Sequence, residues 1–230
     1  GGLVGSNYSS TVTSSYSDAA VSGLSYVGGV LGNSFSGTLS SCGAAGTVSG
    51  FSTVGGLVGY NDYTSITTSY ATGAVSGSSS VGGLAGYNNW AGTLTDCYST
   101  GAVSGTDQVG GFVGWNDSWA FTACFWDMQS SGQSNGAGLG SSDGVTGKIT
   151  DEMKIQSTFT SAGWDFTNET DNGTADTWRM CADGVDYPRL SWETGMQGDF
   201  VCPDGTGVED LEAMATVWLT AEGQPEYRPV

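Results

Sequence analysis

The chain has 230 residues, 39 of them Gly, with 23 acidic and 5 basic side chains, no His and a formal net charge of −18. That balance excludes a nucleic-acid surface, which needs cations against the phosphates, and it disfavours an anionic membrane. Without His the usual general base and the commonest metal ligand are missing, and no apolar run approaches the roughly 20 residues that span a bilayer.

The chain opens on Gly with no leader pattern, as expected of a fragment or a processed chain. Gly-Gly pairs then begin at Gly1, Gly28, Gly55, Gly82 and Gly110. The spacing is 27 residues, with one extra residue near Trp90-Ala91-Gly92. Apolar residues inside a unit fall in groups too short for a helix, and Val and Thr are common, which favours strands. One unit cannot bury its own face, whereas stacked units can. The pattern predicts an all-β fold: a parallel β-helix, or β-solenoid, of about five 27-residue turns over residues 1–125. About three strands per turn are expected, with equivalent residues stacked at about 4.8 Å.

Stacked columns follow from that register. Val12, Leu39, Ile66, Leu94 and Phe121 form one apolar column, and Leu3, Val30, Leu57, Leu84 and Phe112 another. Asn7, Asn61, Asn88 and Asn116 align, with Ser34 in the remaining unit, and predict a ladder of amide hydrogen bonds. Gly5, Gly32, Gly59, Gly86 and Gly114 mark a bend expected to need φ > 0. Cys42, Cys97 and Cys124 share a position with Ser15 and Ser69, which reads as small inward packing. A disulfide between Cys97 and Cys124 on adjacent turns is the lesser alternative.

Aromatic residues are the candidate binding groups. Tyr60, Tyr87 and Trp115 are in register on three turns, and Tyr63, Trp90 and Trp119 follow in the adjoining loop. A flat aromatic stripe on a rigid rod can stack on sugar rings or on a partner protein. A second column, Tyr16, Tyr70, Tyr98 and Phe125, reads as a structural ladder. Catalysis has little support. Asp62 and Asp117 share a position with Asn89 between them, about 9.6 Å apart at two strand spacings, near the upper limit for inverting glycoside hydrolysis. The solenoid units carry no Lys or Arg for a lyase acting on anionic sugar, so the chain is expected not to be an enzyme.

The Gly-Gly-Leu-Val-Gly core and the trailing Ser-Tyr-Ala-Thr-Gly-Ala-Val-Ser-Gly of Ser69 to Gly77 resemble the GLUG repeat. GLUG repeats occur in large secreted or surface proteins of bacteria, including filamentous-haemagglutinin-like adhesins and some IgA peptidases. The resemblance implies a right-handed solenoid and an extracellular or cell-surface location.

Residues 126–147 are rich in Gly and Ser and read as a loop. A short helix is expected from Thr150, as N-cap, to near Phe159. The aromatic stretch from Trp164 to Trp192 reads as one further coil plus a cap over the solenoid end, closing a region of residues 126–195. Residues 196–230 form an acidic tail, in which 198–219 resemble half of a dockerin-like or EF-hand-like repeat, as found at the ends of planctomycete surface proteins. Asp204-Gly205 fits loop positions 5 and 6, but Phe200, Cys202 and Leu211 fall where oxygen ligands belong. Calcium is therefore a weak expectation there, on Asp199, Asp204, Glu209 and Glu212. Cys181 and Cys202 are a candidate disulfide tying the tail to the cap. The sequence thus points to a non-catalytic surface solenoid that displays aromatic loops to a glycan or a surface protein. The alternative is a structural subunit that self-associates through its solenoid ends into fibres.

Overall fold

The computed structural model describes residues 1–118 and 121–193. It is a parallel β-solenoid in which each complete unit contributes four strands rather than three. In the first unit these are Val4–Tyr8, Thr11–Ser17, Val21–Ser22 and Ser25–Gly28. The extra corner falls at Gly23-Leu24. It turns Val21 and Val27 onto one valine cluster with Val48, Val54, Val75, Val81 and Val103. Equivalent strands pair in parallel and in register, as Val4 with Leu31, Leu31 with Val58, Val58 with Ala85 and Ala85 with Val113. The four strands of each unit thus extend four sheets, taken here in chain order as first to fourth.

The first and second sheets enclose the main core. Leu57, Ile66, Leu84, Leu94, Cys97 and Phe112 are fully buried there. The column Val12, Leu39, Ile66, Leu94 and Phe121 is paired coil to coil. Burial of one such aliphatic side chain contributes about 1.5–3 kcal/mol, so each coil is held mainly by its neighbours.

The glycine column does not adopt φ > 0; among the described residues the positive-φ glycines are Gly132, Gly140, Gly144, Gly163, Gly173 and Gly184. Gly59 is required for close approach instead. A Cβ there would lie 2.5 Å from Tyr26 C and Val27 N, where the first sheet passes the backbone of the fourth. The left-handed bends fall on other residues. Ser14, Ser41, Thr68, Asp96 and Ala123 kink the second sheet, and Ser9, Ser36, Tyr63 and Trp90 turn the corner before it.

Residues 126–147 are not a loop throughout. Ala137–Leu139 adds a strand to the first sheet and Val145–Lys148 adds one to the second, so a further partial coil sits here. Between the solenoid and these strands lies α1 (Met128–Ser131), capped by the Asp127 carboxylate accepting from Gln129 and Ser130 N–H at 2.9 and 3.0 Å. Few apolar residues mark these strands because the preceding coil supplies their hydrogen-bonding template.

The helix expected from Thr150 is two pieces, α2 (Thr150–Met153) and α3 (Gln156–Thr160). Its N-cap is Ile149, not Thr150. The Thr150 hydroxyl is engaged elsewhere, donating to Asp127 Oδ2 at 2.8 Å. At the break, the Lys154 carbonyl accepts from Gly184 N–H at 2.7 Å.

The aromatic segment does not form a coil or cover the solenoid end. It returns along the outer flank of the second sheet. Trp164, Phe166, Trp178 and Leu190 pack on Tyr70, Tyr98 and Phe125 in a second core. Trp164 Nε1 donates to Ala123 O at 2.8 Å and Trp192 Nε1 to Ser41 O at 3.1 Å, so the cap spans several coils. The column running from Tyr16 to Phe125 is therefore a docking face. It is interrupted at Gly43, where an added Cβ would meet the Tyr70 ring at 2.8 Å and Tyr16 at 3.0 Å.

Candidate functional site

Alternation along the first-sheet strands turns the asparagine column inward and the neighbouring positions outward. Inside, Asn61 Nδ2 donates to Asn88 Oδ1 at 2.7 Å and Asn88 Nδ2 to Asn116 Oδ1 at 3.0 Å. On the next coil Asn7 Nδ2 meets the Ser34 hydroxyl, at 3.2 Å, in place of an amide. Each amide also closes its own corner, as Asn61 does on Thr64 O at 3.2 Å and Asn88 on Gly92 O at 3.1 Å. The corner carrying Tyr63 and Trp90 is thereby fixed from within.

Outside, Tyr60, Tyr87 and Trp115 occupy one register position. Tyr87 stacks on Trp115 with ring centroids 4.6 Å apart at 15°. Tyr60 meets Tyr87 edge-on at 5.3 Å, and Tyr26 of the fourth sheet meets Tyr60 at 5.2 Å. All three stripe rings are half-buried. A polar row runs beside them. Asn89 Nδ2 donates to Tyr60 OH at 2.8 Å and to Asp62 Oδ1 at 3.3 Å. Burial raises the Asp62 carboxyl, and burial raises the Tyr60 and Tyr87 phenols, so both phenols keep their protons at neutral pH. Asn89 is paired in register with Asp62 on the side toward Asp117, so the two acids do not face one another across an open gap.

At the edge of this face Tyr63 and Trp90 project from left-handed corners and are 49% and 65% exposed. Phe35 links them to the first coil, 5.8 Å from Tyr8 and 6.1 Å from Tyr63. Tyr8 and Phe35 escaped the sequence reading although they share the repeat position of Asp62 and Asn89, which the register reveals. Tyr26 could not be found that way, because it reaches the stripe from a different sheet. Trp119 lies outside the described residues.

Cys42, Cys97 and Cys124 are buried free thiols, so no disulfide joins Cys97 to Cys124. Cys97 Sγ donates to Thr95 O at 3.1 Å and Cys124 Sγ to Thr122 O at 3.3 Å, as Ser69 Oγ does to Thr67 O at 2.7 Å. The left-handed residue between them exposes that carbonyl, and the Ser/Cys side chain satisfies it. Burial pushes the Cys42 thiol up to about 11, which leaves it an inert packing group. Cys202, Asp199, Asp204, Glu209 and Glu212 lie outside the described residues, and with them the candidate disulfide to Cys181 and the calcium site. Among the described residues no three His, Cys, Asp or Glu side chains form a metal-binding group.

These features define a repeat protein of the parallel β-solenoid class with an aromatic face on one sheet. Residues 52–76 and 77–104 each match the GLUG motif, and each match covers one coil, from a fourth-sheet strand to the end of the next third-sheet strand. Tyr60 and Tyr87 fall inside the two matches. Neither a curated protein nor a solved structure matches the chain. No described helix is long and apolar enough to cross a membrane.

Proposed function

We propose that this chain is a non-catalytic, extracellular, adhesin-like surface solenoid that binds glycan through the outer face of its first sheet. The observation that carries the reading is the contiguous aromatic row Tyr60–Tyr87–Trp115, edge-on and then stacked, beside the hydrogen-bonded pair Asn89–Asp62. The outward side of this row offers an apolar strip to sugar C–H groups, and the amide and carboxylate beside it address hydroxyls. Each aromatic contact supplies about 0.5–1.5 kcal/mol, so a row of rings spaced by the strand repeat gains affinity by engaging several sugars at once. The solenoid holds the row rigid, so little ordering entropy is lost on binding. The GLUG motif supports the surface location.

The test is retention on immobilised glycans. Tyr87→Ala and Trp115→Ala are expected to weaken retention about tenfold each, and the double variant to abolish it, with the circular dichroism spectrum unchanged. Equal retention by the double variant, or none by the wild type, sinks the glycan reading. Retention on a protein ligand alone, lost in the double variant, makes the same face a protein-binding one.

A further inference from the structure

The first and second sheets share one core, so their outer faces point apart. On the second-sheet side, the returning cap does not seal the flank completely. A cleft of about 430 Å³ remains between the tyrosine column and residues 185–189. That size suits a small-molecule site. We propose that this cleft binds a neutral, hydroxylated sugar of one or two rings, independently of the first-sheet face.

Its floor is built by the repeat. Ala45, Thr72 and Thr100 follow one another on successive coils, just after paired strand ends. At the strand spacing this row is about 10 Å long, enough for one or two pyranose rings. Its walls are aromatic, with Tyr16 on the solenoid side and Tyr187 on the cap side. Tyr187 is held before any ligand arrives. Its hydroxyl donates to Asp127 Oδ2 at 2.7 Å, its ring lies parallel to Tyr98 at 6.5 Å, and Lys154 Nζ sits 5.4 Å from its centroid. The loop beside it is pinned to the cap through Gly184 N–H and Lys154 O at 2.7 Å. A site so fixed loses little entropy on binding.

The polar groups set the ligand's chemistry. Lys154 and Asp186 both line the cleft, one a donor and the other an acceptor. Asp186 Oδ2 is buried with no hydrogen-bond partner among the described residues. Asp186 as a residue is half-exposed at the cleft wall, where its carboxylate can accept from a sugar hydroxyl. Arg189 also lines the cleft, but the buried Glu193 carboxylate lies within its field, so the local charge is balanced. The chain as a whole carries −18. A balanced cleft in an acidic protein selects a neutral polyol over a uronate.

Isothermal titration of residues 1–230 with cellobiose, maltose, lactose, diacetylchitobiose and digalacturonate tests this. At least one neutral disaccharide is expected to bind saturably. Asp186→Asn is expected to weaken it about tenfold or more, and Thr72→Trp, which fills the floor, to abolish it. Circular dichroism on both variants checks the fold, and Asp186→Asn carries the test if the larger residue disturbs it. Four results overturn the proposal: no binding by any neutral sugar, binding of digalacturonate alone, affinity unchanged in both variants, or loss in Trp115→Ala with retention in Thr72→Trp. The last would move the sugar to the first-sheet face.

Discussion

Two residues show how the coil bends. Gly59 has a right-handed or extended backbone, yet it has no room for a side chain. The atoms an added Cβ would meet, at 2.5–2.6 Å, are all backbone. Thr68 has φ 47° in mid-strand, a conformation that β-branched residues resist. The left-handed form costs an ordinary residue about 1–2 kcal/mol, and glycine's extra chain entropy returns about 0.5–1 kcal/mol of that. Gly59→Ala is therefore expected to destabilise by about 2 kcal/mol or more, as overpacking against immobile backbone does. Thr68→Gly is expected to be neutral or to stabilise by up to about 1 kcal/mol. Urea unfolding midpoints check both. The reverse ranking would restore the bend to the glycine column.

At the scale of an element, the asparagine ladder has one broken rung. Ser34 stands where the other coils have Asn, and Asn61 Oδ1 is left buried without a donor. Thr64 occupies the vacated space. Its hydroxyl donates to Ser34 Oγ at 2.9 Å and accepts from Gly37 N–H at 3.1 Å. Gly37 and Gly92 hold the equivalent position in neighbouring coils. Ser34→Asn alone should overpack against Thr64 and destabilise by about 1–3 kcal/mol. Ser34→Asn with Thr64→Gly should recover stability to within about 1 kcal/mol of the parent or exceed it, since one buried acceptor gains a donor. A thermal-melt double-mutant cycle reads the coupling, and additive losses would show that the two residues act separately. The ladder, the apolar columns and the register of Tyr60, Tyr87 and Trp115 were legible in the sequence because a strict repeat makes each position a stacked contact. The strands at Ala137–Leu139 and Val145–Lys148 were not, because they lack the repeat and lean on the coil before them. The extra corner at Gly23-Leu24 was hidden because strands of two residues have no periodicity to read.

Across the whole molecule, the cap and the charge decide stability together. An unadorned solenoid is stabilised by contacts between neighbouring coils. Here the cap also bridges from Ser41 to Ala123, and its inner end is fixed by Tyr70 OH donating to both Glu193 oxygens at 2.9 and 3.0 Å. The sequence could not place it, because aromatic spacing alone does not say which face those rings cover. Burial raises the Glu193 carboxyl, and burial pushes Asp96 in the second sheet up to about 6. An acid that holds its proton more tightly when folded adds stability in full below its unfolded value, about 4. That stability is lost as pH rises through the folded value, which for Asp96 places the window between about 4 and about 6. The net charge of −18 acts in the same direction, since protonation relieves self-repulsion. The melting temperature is therefore expected to rise on acidification from about pH 8 to about pH 5. Asp96→Asn should flatten the curve at every salt concentration, because it removes a local burial cost. Added salt in the parent should flatten only the part due to general repulsion. A melting temperature that falls over this range would show that the acids are stabilised in their charged forms, contrary to the half-buried position of Asp96 and the buried one of Glu193.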